Sequence, residues 1–351
     1  MKMKKLTLLL AAAALLAACT DEPYVPDEPA DSTGNGPYAL VLCEGAWGGN
    51  DASLARIDID DGTADKEWFE VCNGRGLGDV AQDIIVYGSK AYVTVTFSNS
   101  LEAIDTATGR STRHALGNLH PRSIAAHDGR LYISCYEGHQ VIALDTADLD
   151  RQAASYTLGD YQPEGVAVAG GRLFAASSWI QSQNQNYRYD SVVYVFNLAD
   201  GRLEGTVDVG LNPQTVIALD DNRLAVNYSG NYSDTPAGCA IIDANTLGVT
   251  QLGRSATGLA TAGGMLYGFS REGYAASSTA EYWRYDGTAF TEINVPSTTP
   301  YSISVANDGT IYVTTDGNYT AAGDVICLEP SGNMRWRTEA GMLPKKVVPL
   351  Q

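Results

Sequence analysis

The chain has 351 residues, with 41 acidic side chains against 23 basic ones and a formal net charge of −18. That balance, with four histidines and no basic run, excludes nucleic acid as a partner, because a phosphate backbone would be repelled. Twenty tyrosines against six phenylalanines mean that most aromatic surface carries a polar handle, which suits a face both apolar and wet.

Residues 1–18 read as a signal peptide. Met1 to Lys5 carry three lysines, Leu6 to Ala18 are apolar or small apart from one threonine, and Leu16-Ala17-Ala18-Cys19 completes a lipobox. The small residues suit cleavage, after which Cys19 becomes a lipidated N-terminus. The apolar run is shorter than the roughly 20 residues that span a bilayer, so an anchor is expected and not a membrane helix. Loss of Lys2, Lys4 and Lys5 leaves a charge of −21.

Residues 19–37, rich in acids and prolines, form a tether without a core. The pair Asp21-Glu22 resembles the surface-export signal of Bacteroidetes lipoproteins, and the resemblance implies a protein facing outward from the outer membrane. The alternative is a plain linker on a periplasm-facing lipoprotein.

Residues 38–351 repeat. Pro121-Arg-Ser-Ile-Ala-Ala-His-Asp-Gly-Arg-Leu-Tyr-Ile-Ser aligns with Pro163-Glu-Gly-Val-Ala-Val-Ala-Gly-Gly-Arg-Leu-Phe-Ala-Ala, and the opening position recurs at Ala81, Pro121, Pro163, Pro213, Ala256, Pro300 and Pro344. The steps are 40, 42, 50, 43, 44 and 44 residues. One unit predicts four strands over Ser123 to His127, Leu131 to Cys135, Gln140 to Asp145 and Ala153 to Leu158, with no amphipathic helix of any length. A period of about 40 to 45 residues with four strands is the signature of a β-propeller, so the fold expected is all-β with seven four-stranded blades. Tyr38 to Cys72 reads as a blade lacking its first strand, and Pro344-Lys-Lys-Val-Val as a first strand with nothing after it. The C-terminal strand should therefore close the first blade.

Several local signals resolve to scaffold. Asp58-Ile-Asp-Asp-Gly, Asp105-Thr-Ala-Thr-Gly, Asn197-Leu-Ala-Asp-Gly and Asp243-Ala-Asn-Thr-Leu-Gly lack the alternation of a calcium loop and read as hairpin turns. Gly74, Gly76 and Gly78 precede no helix and form a loop, not a phosphate cradle. Cys43, Cys72, Cys135, Cys239 and Cys327 show no CxxC spacing. Cys43 with Cys72 is a candidate bridge across the first blade, the others reading as small buried hydrophobes. His114, His120, His127 and His139 have no metal-ligand spacing, and no catalytic motif is present. No metal, no cofactor and no enzymatic activity are expected. Glu44, Glu137, Glu164 and Glu272 are the acids that a hydrolase or lyase would have to bring together.

The loops entering each first strand and those joining second to third strands should share one face. The second-to-third loops carry Trp47, Phe97 and Asn99, Tyr136, Trp179 and Tyr187, Tyr228 with Asn231 and Tyr232, Tyr274, and Tyr319. The entry loops add Gln82, Arg122, Glu164, Gln214 and Tyr301. Aromatics around hydrogen-bonding groups make a small-molecule site, and all of these residues except Gln82 form the candidate ligand-binding set.

Glu44-Gly-Ala-Trp-Gly-Gly-Asn-Asp-Ala-Ser-Leu, followed by Asn73-Gly-Arg-Gly-Leu-Gly-Asp-Val-Ala-Gln-Asp, resembles the opening of YncE-like propeller lipoproteins of gut Bacteroidetes. Cys43 stands where that opening usually has asparagine. The family includes seven-bladed surface lipoproteins of the BtuG type, which capture cobalamin beside a TonB-dependent transporter, and others called surface-layer-like. The resemblance implies capture of cobalamin or another corrinoid for such a transporter. Glycan binding, adhesion or a surface-layer role is the alternative.

Overall fold

Pro121–His127, Arg130–Cys135, Gln140–Asp145 and Asp148–Thr157 pair antiparallel in that order, and this unit repeats. The computed structural model describes residues 36–181, 187–271, 280–296 and 299–350. Within them lie seven four-stranded sheets, the blades of a propeller. The second and third strands are apolar almost throughout because a neighbouring blade covers each face. Leu131, Tyr132, Ile133, Ser134 and Cys135 are all buried. Seven apolar clusters form, one between every pair of neighbouring blades. The fourth strands alternate and face solvent.

The seven innermost strands, Pro344–Leu350, Ala81–Tyr87, Pro121–His127, Pro163–Ala169, Pro213–Asp220, Gly258–Ala262 and Pro300–Val305, stand round the axis, each beside the next. Six begin at the residue that the repeat marks, and the seventh begins two residues after Ala256. Closure follows the expected route: Pro344–Leu350 pairs with Tyr38–Cys43, which pairs onward with Ser53–Asp58. The last strand thus completes the blade opened by the first.

Three features depart from expectation. A six-residue helix, Trp68–Asn73, follows the two-residue outer strand Ala64–Asp65 and ends at Gly74 in the left-handed region (φ 64°). Buried Trp68 and Phe69 supply the apolar surface that the short strand lacks. The 50-residue step after Pro163 holds an extra hairpin, Trp179–Gln181 with Tyr187–Tyr189. Cys43 and Cys72 form no disulfide: Cys43 packs toward the seventh blade and Cys72 toward the second, on opposite faces of the first.

The Asp turns are hydrogen-bonded hairpin turns. Asp58 Oδ1 accepts from Asp60 N (2.8 Å) and Asp243 Oδ1 from Thr246 N (2.7 Å), using their carboxylates on the backbone. Among the described residues no cluster of metal-binding side chains occurs.

Candidate functional site: the axial face

At the end of the propeller where the second-to-third loops emerge, the residue after each Pro or Ala that the repeat marks faces the axis. Lys345, Gln82, Arg122, Glu164, Gln214, Thr257 and Tyr301 form this ring. The following residues, Lys346, Asp83, Ser123, Gly165, Thr215, Gly258 and Ser302, form a second ring, and Ile124, Val166, Val216, Leu259, Ile303 and Val347 an apolar wall below. They enclose an axial cavity of about 970 Å³, within the usual range for small-molecule sites.

Buried side chains on the second strands hold the first ring in place. Ser134 Oγ accepts from Ser123 N (2.9 Å) and donates to Glu164 O of the next blade (2.6 Å). Thr94 does the same between Asp83 N and Arg122 O, and Thr314 between Ser302 N and Pro344 O. Asn227 accepts from Thr215 N and donates to Ala256 O. Each clamp occupies a backbone donor freed by a register shift in the inner strand and ties it to the neighbouring blade. Gly165 lets two neighbouring inner strands approach closely: a Cβ there would lie 2.4 Å from Val216 N and 2.6 Å from Gln214 O.

Charge on the ring is compensated. Glu44, from the first blade's loop, accepts hydrogen bonds from Tyr301, Gln82 and Lys345, the last at 3.1 Å. Burial works against its charge, but the Lys345 ammonium and the Tyr301 hydroxyl outweigh it and hold the carboxyl below its ordinary value. Burial, then Glu44 itself, pushes the Tyr301 phenol well above its ordinary value. Arg122 Nε and Nη2 both donate to Glu164 Oε2 (3.0 and 2.9 Å), and Lys346 Nζ meets Asp83 Oδ1 (2.7 Å).

Aromatics rim the ring. Trp47 packs on Phe97 (6.1 Å between centroids) and Phe97 on His120 (5.4 Å). Tyr136 meets Trp179 (5.7 Å), Trp179 meets Tyr187 (5.1 Å), Tyr189 meets Tyr232 (6.2 Å), and Tyr301 meets Tyr319 (6.2 Å). The Arg122 guanidinium lies 5.5 Å from the Tyr136 ring centroid. Trp47 is 81% exposed and Tyr232 66%, an unusual cost for large aromatics with only water to face. Backbone strain gathers here too. Ten of the twelve described non-glycine residues with positive φ lie in these loops, including Val80 (φ 57°), Tyr232 (φ 58°) and Tyr319 (φ 61°).

The expected residues divide. Trp47, Phe97, Tyr136, Trp179, Tyr187, Tyr232 and Tyr319 belong to the rim, and Arg122, Glu164, Gln214 and Tyr301 to the ring. Asn99 and Asn231 brace loops: Asn99 Oδ1 accepts from His120 N, and Asn231 Oδ1 from three backbone N–H groups. Tyr228 turns outward to Gln251 Oε1 (2.9 Å), its ring filling the space left by Gly210 and Gly238. Tyr274 and Glu272, like Cys19 and the tether, lie outside the described residues. Glu137 sits 3.8 Å from His120 and takes no part in the ring. Lys345 lines the ring, and buried Ser178 and Asn212 hold the Gln214 amide; none of the three was expected from the sequence. Lys345 was legible as the residue after the seventh opening position.

No family model matches the chain, and no curated protein matches it by sequence. Solved structures do. A quinonprotein alcohol dehydrogenase-like protein of Bacteroides thetaiotaomicron shares 13% identity at a TM-score of 0.61, over 89% of this chain and 77% of that one. A streptogramin B lyase shares 14% at 0.56, over 75% and 83%. A catalytically inactive virginiamycin B lyase of Staphylococcus aureus with quinupristin shares 15% at 0.55, over 75% and 84%. At such identities the likeness speaks for architecture and not for ligand: the chain is a seven-bladed β-propeller.

Proposed function

We propose that this protein is a ligand-capture propeller whose axial face takes up a broad, flat, amide-fringed molecule, a cobalamin or another corrinoid. The observation that carries the reading is the rim of solvent-exposed aromatics set around a polar, charge-compensated ring. Flat apolar surface would lie on the aromatics, and peripheral polar groups would meet the ring. Binding without chemistry is the better fit. Glu44, Asp83 and Glu164 are each engaged by a cation, so none stands as a free acid or base.

The leader and Cys19 support an outer-membrane lipoprotein, and the acidic tether supports exposure at the cell surface. Tyr38, where the chain enters the first blade, pairs with Asp58 and Leu350 at the end opposite the aromatic face. Delivery to a TonB-dependent transporter is the purpose that such capture would serve. Calorimetric titration with cyanocobalamin tests the reading: heat and a retained colour support it, and neither at micromolar protein sinks it.

A further inference from the structure

We infer that Arg122, Glu164 and Gln214 form a recognition triad for a primary carboxamide of the ligand, an inference that rests on the ligand-capture reading above. They hold the same position on three successive inner strands, and each has spent part of its hydrogen-bonding capacity in a way that fixes what is left.

Arg122 commits Nε and Nη2 to one oxygen of Glu164, so Nη1 and Glu164 Oε1 have no hydrogen-bond partner among the described residues. Gln214 Nε2 donates to Asn212 Oδ1 (2.7 Å) and Ser178 Oγ (3.1 Å), which turns Gln214 Oε1 away from them. Ser178 in turn donates to Asn212 Oδ1 (2.9 Å), and Asn212 Nδ2 faces Tyr232 Oη (3.5 Å), so the orientation of the amide is set by the network. All three residues line the cavity. Gly165 presses the strands of Glu164 and Gln214 together.

The wall therefore offers the unspent N–H groups of Arg122, those of Nη1 foremost, beside two acceptor oxygens, Glu164 Oε1 and Gln214 Oε1. A primary amide presents a carbonyl acceptor for the Arg122 N–H groups and two N–H donors for the two acceptor oxygens, so it meets both kinds of group at once. A carboxylate has only acceptors and would face Glu164 and Gln214 unpaired. An ammonium has only donors and would face Arg122. A hydroxyl has one donor and leaves one acceptor unsatisfied. Each mismatch strands a polar group at a site built to pair it, which discriminates by about tenfold or more.

The test compares cyanocobalamin with the monocarboxylic acids obtained by hydrolysing one of its side-chain amides. The wild type should bind at least one monoacid about tenfold or more weakly than the parent. Glu164→Gln should narrow that gap to about threefold or less, because its amide N–H can meet a carboxylate and Arg122 is released to pair with it. A wild type that binds every monoacid as tightly as the parent overturns the triad, and this arm needs no folded variant. So does a Glu164→Gln protein that weakens both ligands equally, which would mark the residue as structural. A wild type that binds no cyanocobalamin overturns the corrinoid reading and the triad with it.

Discussion

Glu44 and Lys345 lie 301 residues apart in sequence and 3.1 Å apart at the axis, where Tyr301 and Gln82 complete the carboxylate's shell. The contact joins the first blade's loop to the strand that closes the ring. Because the folded carboxyl sits below its ordinary value, its contribution is present above about pH 4.5 and fades as pH falls through the lower, folded value. Glu44→Gln should cost about 1–3 kcal/mol at pH 7, a figure reduced for the partial exposure of Lys345, and the difference from wild type should shrink toward pH 3. Urea denaturation at pH 7, 5 and 3 checks it; a difference independent of pH would contradict it.

Deletion of residues 342–351 removes the inner strand of the first blade, buried Val347 and the acceptor for Thr314. The exposed edge of Tyr38–Cys43 should then aggregate or melt at a markedly lower temperature. An unchanged melting temperature would argue against closure by this strand.

Ser134 is fully buried and serves two backbone groups. Ser134→Ala strands Ser123 N–H and Glu164 C=O and should cost about 1–3 kcal/mol, read as a shifted urea midpoint with an unchanged slope. Because Glu164 O is one of the two groups, any ligand affinity should fall with it.

Residues 1–37 make a separate prediction, that Cys19→Ala releases the protein from membranes and that protease added to intact cells removes the wild type. Protection from protease would keep the anchor and put the protein inside the outer membrane.

The blades were legible because their opening residue and Gly-Arg turn recur, and the ring was legible through Arg122, Glu164, Gln214 and Tyr301, which directly follow those openings. The clamps were harder to see. Thr94, Ser134, Asn227 and Thr314 are polar residues within apolar strands, and only their recurrence in four units marks them. Tyr228 shows the limit: strand periodicity gives a side, but the space left by Gly210 and Gly238 decides where a terminal ring turns. Trp68–Asn73 escaped notice because six residues are too few to show helical periodicity.

Calorimetry with cyanocobalamin on the wild type, Trp179→Ala, Tyr232→Ala and the opposite-end control Arg223→Ala tests the central claim most directly. The account predicts binding by wild type and control, and a loss of about 2 kcal/mol, or thirtyfold, for an aromatic variant at a well-packed contact. Absence of binding by the wild type, or binding untouched by both aromatic substitutions, would contradict it.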